Sequence, residues 1–171
     1  MRVSMIEDST KKPFKMTIEY FRPTVHKWLE NKGPKEKRVF VGGNYKNIAI
    51  LRQIAHVVEQ FDFKPIMPID LPETADPTCK ELIHDISIEM LQECSYAIFE
   101  VTISDGHLME IERAMDFMRA GTINVILVYQ TTKQGDSPTV TSMLMAKDFI
   151  KEPYRNFSEL ISTIRSFLPK D

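Results

Sequence analysis

From Arg38 to the C-terminus the apolar positions alternate between two spacings, and each change marks a new element. Short runs that are contiguous or alternating read as strands: RVFVGG at 38–43, KPIMPI at 64–69, YAIFEV at 96–101 and INVILVY at 123–129. INVILVY is apolar throughout, as expected of a strand covered on both faces. Between the first two runs, NIAILRQIAHVVEQF carries apolar residues at 48, 51, 54, 55, 58 and 61, a helical period. A second helix follows the proline-rich loop PIDLPETADPT and runs to about Cys94, with Asp76 or Thr78 as candidate N-cap. A third follows YAIFEVT and stops near Gly121, a residue suited to the left-handed position past a helix end. After the polar loop TTKQGDSPT come a predicted short helix, VTSMLMA, an edge strand, DFIKEP, and a last helix, FSELISTIRSFL.

Strands alternating with helices predict an α/β fold with a parallel sheet and right-handed crossovers. The simplest arrangement is a flavodoxin-like three-layer sandwich, its five strands in the order 2-1-3-4-5. Residues 1–36 stand apart from this domain, which takes 37–171. TIEYFRPTVHKWLEN predicts a helix kinked at Pro23, followed by the turn-like KGPKEKR, so an N-terminal helical arm packs on the domain or on a second subunit.

One helix breaks its own pattern. In SDGHLMEIERA, Ser104 to Ala114, winding at about 100° per residue gathers Leu108, Ile111, Ala114, Met115, Phe117 and Met118 on one arc. Glu112, Arg113, Asp116 and Arg119 take the other side. Glu110 falls inside the apolar arc, and His107 points the same way. Arg113, at i+3 from Glu110, projects toward the polar face. A carboxylate aimed at an apolar surface is either paired or placed for chemistry, as a general base or as a nucleophile on an anomeric carbon.

Composition narrows the choices. A hydrophobic fraction of 43%, a charged fraction of 27% and a net charge of −2 are those of an ordinary globular chain. They provide no electrostatic case for a nucleic acid polymer or an anionic membrane. No apolar run approaches the roughly 20 residues of a membrane span, and MRVSMIEDSTKKPF lacks a signal-peptide core, so the expected compartment is the cytoplasm. Cys79 and Cys94 form no CxxC pair and no His/Cys cluster, which predicts buried thiols and no metal site. His26 and His56 read as structural or surface groups. No cofactor is called for.

The topology places a ligand at the carboxyl ends of strands 1 and 3, where the strand order reverses. The loops there are GGNYKN and VTISDGH. Gly42 and Gly43, with Asn44, offer close backbone approach, while Ser104, Asp105 and Gly106 precede a helix N-terminus suited to a phosphate or to simple capping.

The run LIHDISIEMLQECSYAIFEVTISDGHLMEIERAMDF resembles the nucleoside 2-deoxyribosyltransferase superfamily, and within it the 2′-deoxynucleoside 5′-phosphate N-hydrolases. The likeness follows the order of elements over 38–168 and is sharp from Leu82 to Phe117. It implies that Glu110 is the nucleophile taking the (deoxy)ribosyl group, that Ser104 holds a phosphate, and that Gly106 and the FVGG run, Phe40 to Gly43, form the ligand loops. It also implies a homodimer, because TSMLM, Thr141 to Met145, is similar to a segment that family members lend to a neighbouring site. Ser87 stands where the family carries an aspartate near the leaving base, Asp85 being about 200° away round the helix, so His107 or His84 is left to assist. The implied function is that of an N-glycosidase-like hydrolase or transferase cleaving the base–(deoxy)ribose bond of a nucleoside or nucleoside monophosphate. The alternative is a nucleotide-binding module without turnover, of the TIR-like type that shares the layout and a glutamate in the same helix.

Overall fold

The structure, a computed structural model, describes residues 17–103, 107–131 and 150–170. Five strands form one sheet: β1 (Arg38–Gly43), β2 (Lys64–Ile66), β3 (Tyr96–Glu100), β4 (Asn124–Gln130) and β5 (Ile150–Tyr154). All neighbours are parallel and the order is β2-β1-β3-β4-β5, the flavodoxin-like arrangement expected. The helices are α1 (Ile18–Glu30), α2 (Ile48–Gln60), α3 (Ile83–Gln92), α4 (Leu108–Arg119) and α5 (Phe157–Phe167). Among the described residues no helix is long and apolar enough to cross a membrane.

The strand alternation sorts side chains into two cores. Phe40, Ala97, Phe99, Val125 and Leu127 point to the face covered by α1, α3 and α4, where they meet Leu29, Ile86, Met90, Ile111 and Ala114. Val39, Val41, Ile98, Ile126 and Val128 point to the other face and meet Leu51, Ile54 and Val58 of α2 and Leu160 and Ile164 of α5. The unbroken apolar run of β4 has its reason here, since it supplies both cores. Each fully buried side chain of this size contributes about 1.5–3 kcal/mol.

Three details depart from the sequence expectation. Strand β2 is three residues long because the chain turns at Pro68 into a 3₁₀ turn, Pro68–Asp70. The loop after it is not open: two further 3₁₀ turns, Pro72–Ala75 and Pro77–Leu82, lead into α3, and Thr74 Oγ1 donates to the carbonyls of Leu71 (2.7 Å) and Pro68 (3.2 Å). Helix α3 therefore starts at Ile83, with Leu82 rather than Asp76 or Thr78 at the N-cap position. By contrast, Gly121 ends α4 as expected, at φ +73°. Its N–H donates to Met118 and that of Thr122 to Phe117, the double bond pattern of a Schellman end. The segments VTSMLMA and 147–149 lie outside the described residues, and β5 begins at Ile150. Pro153 lies in β5, at the sheet edge where a missing N–H is tolerated.

Helix α1 continues through Pro23 despite the hydrogen bond that proline removes. Tertiary contacts offset that loss. Phe21, Val25 and Leu29 are buried, and Glu89 of α3 accepts hydrogen bonds from Arg22 Nε at 3.1 Å and His26 Nε2 at 2.6 Å. Because α1 shares its apolar contacts with α3 and the sheet, Leu29→Ala is expected to lower the stability of the whole molecule. Urea unfolding followed by far-UV circular dichroism should show a single transition weakened by about 2–5 kcal/mol. An unchanged main transition with separate early loss of α1 would contradict a shared core.

Candidate functional site

The site begins with two residues that lack side chains. Strands β1 and β3 pair Gly42 with Phe99 and Gly43 with Glu100 at their carboxyl ends. A Cβ on Gly42 would stand 2.6 Å from the Phe99 ring and 3.0 Å from Phe40. A Cβ on Gly43 would stand 2.9 Å from the Glu100 carbonyl oxygen and 2.7 Å from Leu51. With glycine in both places, the rings of Phe40 and Phe99 sit 5.7 Å apart and floor a cleft of about 330 Å³.

The walls come from four elements. The loop after β1 supplies Asn44, Tyr45 and Lys46, and the 3₁₀ turn after β2 supplies Pro68. Helix α3 supplies Ile83, His84 and Ser87, and the start of α4 supplies His107 and Glu110. Of the residues expected from sequence to form the site, Gly42, Gly43, Asn44, Ser87, His107 and Glu110 therefore line one cleft at the strand-order reversal. Ser104, Asp105 and Gly106 lie outside the described residues, as does Thr141–Met145. A larger groove of about 560 Å³ lies between α5 and the β4–β5 edge, but Glu152 is the only ionisable group among its described lining residues. Chemistry, not size, selects the smaller cleft.

Glu110 is buried in the first turn of α4, where the positive end of the helix favours a carboxylate. Its Oε1 is held 2.8 Å from His84 Nδ1 of α3. Its Oε2 is buried and has no hydrogen-bond partner among the described residues. Arg113 leaves Glu110 alone, as helical winding predicts, and approaches Asp116 at 3.9 Å. The partner that the inward carboxylate required is thus a histidine on a neighbouring helix. A buried acceptor left without a donor costs about 1–3 kcal/mol. Such a cost is commonly retained at functional sites.

The other expected residues divide by what occupies their polar atoms. Ser87 Oγ donates to the Ile83 carbonyl of its own helix at 2.7 Å, so its proton is committed there. Asn44 Oδ1 accepts from the Lys46 N–H at 2.9 Å and shapes the loop. His107 occupies the N-cap position of α4 and is buried in the cleft wall. Asp85 is exposed on the outside of α3.

Sequence reading missed Tyr45, whose phenol is pushed up to about 12. Loss of water is the largest cause, followed by the negative charges of Glu110 and Asp70, with Arg52 opposing them. Tyr45 is 41% exposed as a residue, and it lines the cleft together with Glu110. The charge of Asp70 is itself pinned by Arg52 at 2.7 Å, which ties the 3₁₀ turn to α2. Tyr45 carried no periodic signal; its place two residues beyond the glycine pair was the available clue. His84 was legible through its spacing, three residues before Ser87 on the same helix face.

A second buried carboxylate was missed. Glu100, at the end of β3, accepts from the Thr102 hydroxyl, the Thr102 N–H (3.3 Å), Tyr154 Oη (3.0 Å) and Asn47 Nδ2 (3.4 Å). Burial, then the charge of Glu100, push the Tyr154 phenol up. Burial does the same to the Cys94 thiol, and both cysteines are buried and free.

No family model matches the chain, and none of the curated proteins matches it. Among solved structures it is similar to the CMP N-glycosidase BcmB of Clostridium botulinum, at 19% identity and a TM-score of 0.49. That match covers 77% of this chain and 100% of that one.

Two outcomes follow from the geometry. Glu110→Gln keeps the shape but removes a buried charge, so its stability in urea should equal or exceed the wild type by up to about 1 kcal/mol. A loss of more than about 1 kcal/mol would make the carboxylate a structural group. For Tyr45 the folded phenol is raised above its unfolded value of about 10. Its contribution is present below pH 10 and is lost as pH rises toward 12. Tyr45→Phe should therefore flatten the fall of stability across that window, read as urea midpoints against pH.

Proposed function

We propose that this protein cleaves the bond between base and (deoxy)ribose in a nucleoside or nucleoside 5′-monophosphate. The observation that carries this reading is the state of Glu110: one oxygen held by His84, the other buried and without a donor among the described residues, in a cleft at the β1–β3 switch point. A carboxylate fixed through one oxygen presents the other for attack on an anomeric carbon, which is how retaining glycosidases form their covalent sugar ester. The cleft volume of about 330 Å³ lies near the lower end of the range of roughly 300–1,000 Å³ for small-ligand pockets, which suits one small molecule and not a polymer. Phe40 and Phe99 provide aromatic surface for a base or a sugar face. The resemblance over Leu82 to Phe117 supports the same assignment for Glu110.

In this reading Gly42, Gly43 and Asn44 bring backbone to the sugar, and Ser104, Asp105 and Gly106 hold the 5′ end. His107 adds a second imidazole beside Glu110. Water or a second base accepts the sugar, and a second copy of the chain completes the site with its own Thr141–Met145 segment.

The test is direct. Wild-type protein incubated with deoxyribonucleoside and ribonucleoside monophosphates, nucleosides and NAD should release free base from at least one of them, detected by chromatography. Glu110→Gln should lower that release by at least about three orders of magnitude. No release from any substrate, with thermal stabilisation by nucleotides, would instead select a binding module without turnover. The fact that Ser87 commits its hydroxyl to Ile83 is the observation that favours that second reading.

A further inference from the structure

Departure of a base from C1′ leaves an electron pair on its nitrogen, and a proton must meet it there. The cleft has few groups able to deliver one. Ser87 is committed to the Ile83 carbonyl at 2.7 Å and is no acid. Asp85 faces solvent on the far side of α3. Tyr45, desolvated and facing Glu110, holds its proton too tightly near neutral pH. His107 and Lys46 also line the cleft, and of the two kinds of group an ammonium is a weaker acid than an imidazolium.

His84 differs from all of these. Its Nδ1 lies 2.8 Å from Glu110 Oε1, and its side chain is 45% exposed, so the ring spans from the buried carboxylate to the opening of the cleft. An ionised carboxylate only accepts hydrogen bonds, so the shared proton sits on Nδ1. In the imidazolium the second proton is on Nε2, one ring width farther from Glu110.

We infer that His84 is the proton donor to the departing base and, through the same ring, the group that orients Glu110. This rests on the glycosidic reading above. Atoms and charges balance through both halves of the reaction. A lone pair of Glu110 Oε2 forms the bond to C1′ as the C1′–N bond breaks. The released pair on the base nitrogen takes the Nε2 proton, leaving neutral imidazole. In the second half, water attacks C1′, its proton passes to Nε2, and the Glu110–C1′ bond breaks to restore carboxylate and imidazolium. The sum is base–sugar plus water to free base plus sugar.

The experiment compares two leaving groups on the full chain. One substrate is the deoxyribonucleoside monophosphate found to be cleaved. The other is the matching p-nitrophenyl deoxyriboside 5′-phosphate, whose nitrophenolate departs without a proton. His84→Ala should lower base release by about 10²–10⁴-fold but nitrophenolate release by less than about tenfold. His84→Gln, whose amide can still donate to Glu110, should recover the nitrophenolate rate and not the base rate. Glu110→Gln should lose both. Equal losses on the two substrates in His84→Ala, or wild-type base release in His84→Gln, would overturn the assignment of His84 while leaving the glycosidic reading intact. A wild-type protein that cleaves neither substrate overturns both.

Discussion

Everything at the ligand edge of this molecule depends on how closely the ends of β1 and β3 approach. The last two pairs of that ladder, Gly42 with Phe99 and Gly43 with Glu100, have no side chain on the β1 side. On one face of the sheet the missing Cβ of Gly42 lets the Phe99 ring lie over β1 and floor the cleft. On the other face, Gly43 lets the Glu100 carbonyl and Leu51 close in. Any larger residue at Gly43 must push hydrogen-bonded strands apart, which a packed sheet resists far more than it resists a side-chain adjustment. The cleft is in this sense a by-product of two absent methyl groups at the point where the strand order reverses.

Three buried carboxylates show what is ordinary here and what is not. Glu89 receives Arg22 and His26 and fastens α1 to α3. Glu100 belongs to the α2–α5 side, two residues beyond Ile98, and receives Thr102, Tyr154 and Asn47, which joins the ends of β3 and β5 to the start of α2. Both satisfy the rule that buried charge is paired and hydrogen-bonded. Among the described residues, Glu110 follows the rule with one oxygen and breaks it with the other, which is buried. Glu110 faces the cleft, and Glu89 and Glu100 do not line it.

Most of the fold was legible because two periods, near 2 and near 3.6, alternate cleanly from Arg38 onward. Glu110 was legible as a violation of one of them. What escaped had no period to betray it. The 3₁₀ turns from Pro68 to Leu82 arise from prolines and from Thr74 bonding backbone carbonyls, which a reading of apolar spacing leaves as loop. Tyr45 comes to the cleft because the chain turns after Gly43, and Glu100 is buried because Tyr154, distant in sequence, reaches it across β4. Pairings of that kind are set by tertiary structure and leave no local mark.

Helix α3 carries the last step. His84 and Ser87 are three residues apart and so share a face. An aspartate at 87, the residue carried there by the family this chain resembles, would put a second anion into a cleft of about 330 Å³ beside Glu110. Two carboxylates in so small a space repel one another, and each disfavours the ionised form of the other. With serine at 87, its hydroxyl folded back on the helix, Glu110 is the only anion among the described lining residues, and His84 pairs with it unopposed. On the proposed reading, the acid at His84 stands one helical turn from position 87, on a side chain already held against Glu110.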